Sequence, residues 1–333
     1  MIELIKKNYF VCVGIFLSIV LLVIFNEIFF DNKTFGSSDN LSPKAVGLAL
    51  NEVMEKEGGY PHWQPWVFSG MPTAEAFTNI SQLYFPEYLF KIFSVPGMFI
   101  QISHFLFCGI GMVLLLRYLG CSYWSSLLGS IGFMITPYMV TMLVFGHGSQ
   151  IMTAAYIPWI VMFAIKLWND PKILNIGILS LLLGFQLQRS HVQIAYYTWL
   201  LIGAFFFFKI INIAYKSKKL DSIVLRKLAF FAVACILGLA ISFVIYLPSI
   251  EYSDFSIRGA SSSLGDKYNY ATSWSFHPKE ILTFLLPSAF GFGGQAYWGY
   301  MPFTDYPNYM GIILLLLALI TTLQKKNFLQ WYL

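Results

Sequence analysis

Charge is what this chain has least of: 11% of its 333 residues are Asp, Glu, Lys or Arg, against about a quarter in an ordinary soluble domain. With 57% hydrophobic residues, a soluble globular reading is excluded before any motif is weighed. Cysteine is scarce as well. Cys12, Cys108, Cys121 and Cys235 lie within or beside apolar segments and form no C-x-x-C pair, so they argue for neither a disulfide framework nor a zinc site. There is no Walker loop and no G-x-G-x-x-G turn, and ATP or dinucleotide chemistry therefore has no support. The marks of a cleaved leader are also missing. Lys6 and Lys7 precede an apolar run, but Val11 to Phe30 outlasts the usual signal-peptide core and no small-x-small site follows it. The first segment reads as a retained anchor.

What the chain does have is long apolar runs. A helix needs roughly 20 residues to cross a hydrocarbon core, with some shortening tolerated in a bundle. Eight segments qualify: 9–30, 96–116, 123–145, 151–168, 173–188, 192–211, 228–250 and 308–323. The expected fold class is an all-α integral membrane protein with about eight transmembrane helices. The stretch 281–292 is too short to span and contains Pro287, which suits an interfacial or re-entrant position.

Threading these segments alternately sorts the loops into two sets. One carries thirteen basic against three acidic side chains, the other eight against thirteen. Lys and Arg near span ends favour the cytoplasm, so the basic set and the N-terminus are expected inside, in a bacterial cytoplasmic membrane. The formal net charge of +5 then reflects topology and gives no reason to expect a nucleic-acid partner; the membrane lipids themselves are the expected surroundings.

The outer side holds two long loops, 31–95 and 251–307, within a single transmembrane domain covering 1–333. In the first, Ser42-Pro43 marks a helix start with Pro at its first position and Gly58-Gly59 marks its end. Val46, Ala49, Leu50, Val53 and Met54 fall on one face, and Lys44, Asn51, Glu52, Glu55 and Lys56 on another, as in a helix lying on a membrane surface or against the bundle. An aromatic run follows from Tyr60 to Trp66, where Trp63 suits either headgroup anchoring or ligand contact. Short connections carry His147-Gly148-Ser149-Gln150 and the cluster Gln186, Gln188, Arg189, His191 and Gln193. Ionisable groups at this depth usually face a wet cavity or a partner, so a shared pocket or simple helix capping both fit. Beyond the seventh span, Glu251, Asp254 and Arg258 sit close together, and Arg258 could grip a phosphate or pair with either carboxylate. The stretch Tyr297 to Tyr309 sets aromatics around Asp305, the composition of a sugar-stacking shelf or of an interface. Asp39, in Gly36-Ser37-Ser38-Asp39-Asn40, is held near the bilayer by the first span. There a carboxylate could act as general base toward a hydroxyl, help bind a divalent cation, or serve only as a turn or cap residue.

The order of these pieces resembles the YfhO-like family of bacterial membrane proteins: the early Asp39, the stretch Gly59 to Pro72 ending in Ser69-Gly70-Met71-Pro72, the outer His147 to Gln150, and Glu251 to Gly259. That family is similar to the GT-C glycosyltransferases. The resemblance implies a GT-C-like fold whose loops carry short interfacial helices, a polyprenyl-phosphate sugar as donor, and an envelope glycan, lipid or protein as acceptor. Asp39 then matches the early-loop carboxylate taken as catalytic base. From charge and location, and not from the resemblance, His147, Arg189, His191 and Arg258 are candidates for holding donor phosphate, and Gln150, Glu251, Trp63 and Asp305 complete the substrate-binding candidates. Members of the family are longer, so the resemblance also implies a C-terminally incomplete architecture. Two other functions stay open on the residues alone: a transporter or flippase for a lipid-linked substrate, and a non-catalytic envelope-assembly protein.

Overall fold

The computed structural model describes residues 8–31, 33–59, 61–73, 84–217, 221–253, 255, 268–269 and 272–322. They are mostly helical. Five helical stretches are long and apolar enough to cross a membrane: Gly97–Tyr118, Tyr123–Val144, Gly148–Asn169, Val192–Lys216 and Ser222–Ser253. The other three expected spans are shorter apolar helices, Tyr9–Ile24, Ile173–Gln188 and Ile312–Thr321. Each buries part of its apolar surface or none and exposes the rest: Leu17, Leu21, Leu179 and Leu183 are buried, while Val11, Ile15, Ile173, Leu174, Ile313 and Leu319 are exposed. An outward apolar surface on this scale is that of a multi-pass membrane protein.

The chain divides into two compact units, the first comprising Met1–Met134 with Gly146–Ser249, the second Ile135–Phe145 with Ile250–Leu333. In the first unit, helix α1 (Tyr9–Ile24) stops at Phe25 and resumes as α2 (Asn26–Phe30); α3 is Ser38–Glu57. A two-stranded antiparallel hairpin, β1 (Trp63–Gln64) and β2 (Met71–Pro72), precedes α4 (Glu87–Ile92) and α5 (Gly97–Tyr118). Helices α6 (Tyr123–Met134), α8 (Gly148–Ala154), α9 (Ile157–Asn169), α10 (Ile173–Gln188), α11 (Val192–Ser217) and α12 (Ser222–Ser253) follow, with α7 (Pro137–Val144) and the end of α12 from Ile250 in the second unit. The α8–α9 stretch is the central one: 78% of its apolar window is buried, against 28% for Val192–Lys216. Small residues let its neighbours close in. A Cβ on Gly109 of α5 would lie 2.7 Å from the Met134 sulfur of α6, and Ser130 Oγ donates to the Gly109 carbonyl at 2.7 Å, the packing expected where helices meet without a hydrophobic driving force.

Helix α3 differs from the sequence expectation at its start. It begins at Ser38, so Pro43 lies inside it and Asp39 stands in its first turn. Pro lacks the N–H that would reach back four residues, a loss of one bond to the Asp39 carbonyl that the helix tolerates. Its two faces are as read: Leu50 is buried and Val46, Ala49, Val53 and Met54 half-buried, while Lys44, Asn51, Glu52, Glu55 and Lys56 are exposed. Gly58, at φ +73, ends it.

In the second unit, the stretch 281–292 starts in a 3-10 helix, Pro278–Phe284, and continues in turns around Pro287, with no long helix. Glu280 is buried there and accepts hydrogen bonds from the Tyr297 hydroxyl at 2.7 Å and the Tyr300 amide at 2.6 Å. Burial, reinforced by the bond to Glu280, pushes the Tyr297 phenol above its ordinary range. The last helix, α13 (Ile312–Thr322), closes this unit.

Candidate functional site

Widely separated stretches of the first unit enclose a cavity of about 610 Å³. Lys33 and Thr34 come from the segment after α2, and Asp39, Asn40, Pro43 and Lys44 from the start of α3. Glu87 comes from α4, Pro96 to Gln101 from the first turn of α5, Gly146, Gly148, Ser149 and Met152 from the entry to α8, and Arg189 from the end of α10. Three cationic and two carboxylate side chains therefore line one hollow.

Asp39 is held there by backbone geometry. Its carboxylate is more than half exposed, with Oδ2 3.9 Å from His147 Nε2, and Ser38 Oγ donates to Oδ1 at 3.2 Å. An acid in the first turn also complements the helix dipole. Gly146 presses on the peptide that joins Asp39 to Asn40. Its φ is +90, and a Cβ there would lie 2.5 Å from the Asp39 carbonyl carbon and 2.6 Å from the Asn40 nitrogen. Only glycine meets both demands.

Arg189 is held by burial. Its side chain is 5% exposed, and Nη1 lies 3.9 Å from Oε2 of Glu87, itself 11% exposed. A buried guanidinium requires such a counter-charge. Its plane also rests 4.3 Å from the Tyr84 ring centroid, a cation–π contact. The Tyr84 hydroxyl bonds to the Tyr156 hydroxyl and, at 3.0 Å, to His104 Nε2. His104 Nδ1 is 2.7 Å from the Ile100 carbonyl. A carbonyl only accepts, so in the neutral ring Nδ1 carries the proton and Nε2 accepts from Tyr84. The buried string Tyr156, Tyr84, His104 thus fixes the platform under Arg189.

His191 accepts a bond from the Ile194 amide at 3.4 Å through Nδ1, capping α11. Burial, and next the nearby His147, hold its pKa below the ordinary imidazole value. Gln186 and Gln188, for which a shared pocket and helix capping both fitted the sequence, are fully buried. Gln186 Nε2 donates to the Thr153 carbonyl and to Thr198 Oγ1, and Gln188 Nε2 to the Ile241 carbonyl. Each amide nitrogen thus satisfies a backbone carbonyl, and Gln188 Oε1 accepts from the Phe85 amide at 3.3 Å.

The structure thus brings Asp39 and Arg189 to one cavity and sets His147 beside Asp39, while neither His147 nor His191 is part of the cavity lining. Gln150 and Trp63 do not line it: the Gln150 amide bonds to the His147 carbonyl at 3.0 Å, and Trp63 sits on the exposed hairpin with its indole over Gly70. Glu251 and Asp305 belong to the second unit, where both are exposed. Arg258, like Asp254, lies outside the described residues. Glu87, Lys33, Lys44, Gln101 and Tyr84 carried no motif that would have singled them out, whereas His104 did, as an ionisable residue within an apolar span. Among the described residues, no three His, Cys, Asp or Glu side chains gather as metal ligands would. Comparison of the chain with protein-family models, curated proteins and solved structures gives no match.

Proposed function

We propose that this chain is an inverting membrane glycosyltransferase that moves a sugar from a polyprenyl-phosphate donor to a hydroxyl of an envelope glycan, lipid or protein. In this reading the site faces outward from a bacterial cytoplasmic membrane and the N-terminus lies in the cytoplasm. The observation that carries it is one polar cavity shared by Arg189, Lys44 and the Asp39 carboxylate, which has His147 3.9 Å away. Asp39 takes the proton of the acceptor hydroxyl. The acceptor oxygen bonds to the anomeric carbon as that carbon's bond to phosphate oxygen breaks. The electron pair leaves with polyprenyl phosphate, and Arg189, Lys44 and Lys33 offset the developing charge, as fixed cations do in other transferases. Glu87 keeps Arg189 from moving off its wall. No step requires a metal, although Asp39 could serve as one ligand of a divalent cation.

The test is transfer from radiolabelled polyprenyl-phosphate sugars in membranes containing the chain. Loss of a general base costs about 10² to 10⁴ in rate, so Asp39→Asn at equal abundance should lose transfer on that scale. Undiminished transfer would remove Asp39 from the mechanism. The flippase alternative draws on a different observation, the His104 string beside the cavity, since buried ionisable chains mark proton or substrate paths. It predicts lipid translocation abolished by His104→Phe with no sugar transferred at all.

A further inference from the structure

A second hollow in the first unit, of about 460 Å³, opens where the start of α1 meets the last turns of α5 and α9. Its wall contains two cations, Arg117 and Lys166, and no carboxylate. The rest is apolar or aromatic, including Phe10, Leu114, Trp159 and Phe163. Among the described residues, neither cation takes part in an ion pair. Arg117 donates to the Cys121 carbonyl and lies 3.9 Å from the Tyr123 ring centroid, and Lys166 Nζ lies 4.7 Å from that of Phe163 and 5.4 Å from that of Tyr118. Helix dipoles explain one cation at each C-terminus. They do not explain a half-open aromatic hollow shared by two cations, which repel one another unless an anion sits between them.

We propose that this hollow binds an anionic phospholipid, with the phosphate between Arg117 and Lys166 and an acyl chain along Phe10, Leu114 and Phe163. Both cations stand at the ends of candidate spans, the depth at which headgroups lie, and basic pockets between spanning helices are suited to acidic lipid heads. Guanidinium supplies a planar two-pronged donor to phosphate, and the ammonium a point charge. The site uses none of the residues of the first cavity and stands whichever function that cavity has.

The test is native mass spectrometry of the full, delipidated chain in neutral detergent. It is titrated with phosphatidylglycerol, with phosphatidylcholine of the same acyl chains, and with inorganic phosphate. One phosphatidylglycerol should bind more tightly than phosphatidylcholine. Each basic residue near a headgroup contributes on the order of 1 kcal/mol, so Lys166→Gln should weaken phosphatidylglycerol about fivefold and Arg117→Gln/Lys166→Gln about thirtyfold. Lys172→Gln, an exposed cation paired with Asp170, should change nothing. The single variant carries the test if the double variant does not fold. Equal binding of the two lipids, unchanged affinity in Lys166→Gln, or displacement of the lipid by equimolar inorganic phosphate would each overturn the proposal.

Discussion

Gly146→Ala isolates the contact that places Asp39. Two separate costs arise at this position. An alanine held at φ +90 costs roughly 1 to 3 kcal/mol in backbone strain. Its Cβ, 2.5 Å from the Asp39 carbonyl carbon, meets backbone that cannot rotate away, so α3 must shift, and overpacking of this kind costs about 1 to 3 kcal/mol more. Gly120 supplies the control, with φ +87 and nothing within 4 Å of a Cβ, so Gly120→Ala bears the first cost alone. Denaturation of both variants in mild detergent should show Gly146→Ala less stable than Gly120→Ala by the overpacking difference. A spin-label pair on α3 and α9 should report a changed distance only in Gly146→Ala. If Asp39 is the base, a displacement near 1 Å is expected to lower transfer by about 10²-fold. Equal stability of the two variants with an unchanged α3 distance would refute the close-approach argument.

Glu87→Gln removes the carboxylate 3.9 Å from the buried Arg189 guanidinium, and breaking a buried pair in this way should destabilise the protein by about 3 to 5 kcal/mol. In a double-mutant cycle, adding Arg189→Met should recover much of that loss, and strict additivity would show that the pair does not interact. Placing Val at Gly184, where a Cβ would meet Ile241 at 2.6 Å, should cost about 1 to 3 kcal/mol by overpacking, measured by the same denaturation. His191 has a folded pKa below the ordinary 6.5, through burial and then His147. The unfolded chain therefore binds the extra proton first, so the contribution is intact above about 6.5 and lost as pH falls through that value. His191→Gln should flatten the stability profile there, and an unchanged slope would place the titration elsewhere.

Much of the helical framework was legible because apolar run length is a strong local signal, and the two faces of α3 followed directly from residue spacing. The start of α3 was not, because Pro43 looks like a first-turn residue. In fact the helix accepts a single missing bond and extends upstream, which carries Asp39 from an expected loop into the first turn. Asp39, His147 and Arg189 could be grouped from charge and common sidedness. Their partners could not. Glu87 carries no local pattern that foretells Arg189, and Gln186 and Gln188 looked like pocket residues because burial of an amide against backbone carbonyls depends on the crossings of α10 with α8, α11 and α12. Such pairings are properties of assembled helices and leave little trace in one segment.

The distribution of the first cavity along the chain has a consequence for biogenesis. Its carboxylates, Asp39 and Glu87, belong to the earliest segments, while Arg189 is supplied at the end of α10. During synthesis, Glu87 therefore waits for its counter-charge until α10 has been made and folded back. Until then the earlier segments set Lys33 and Lys44 against Asp39 and Glu87, and the unfinished hollow lacks the one cation that gives it a net positive charge. A chain arrested after α9 would carry that hollow without its last cation, a mark of incompleteness in local charge that insertion and quality-control machinery can distinguish from the finished fold.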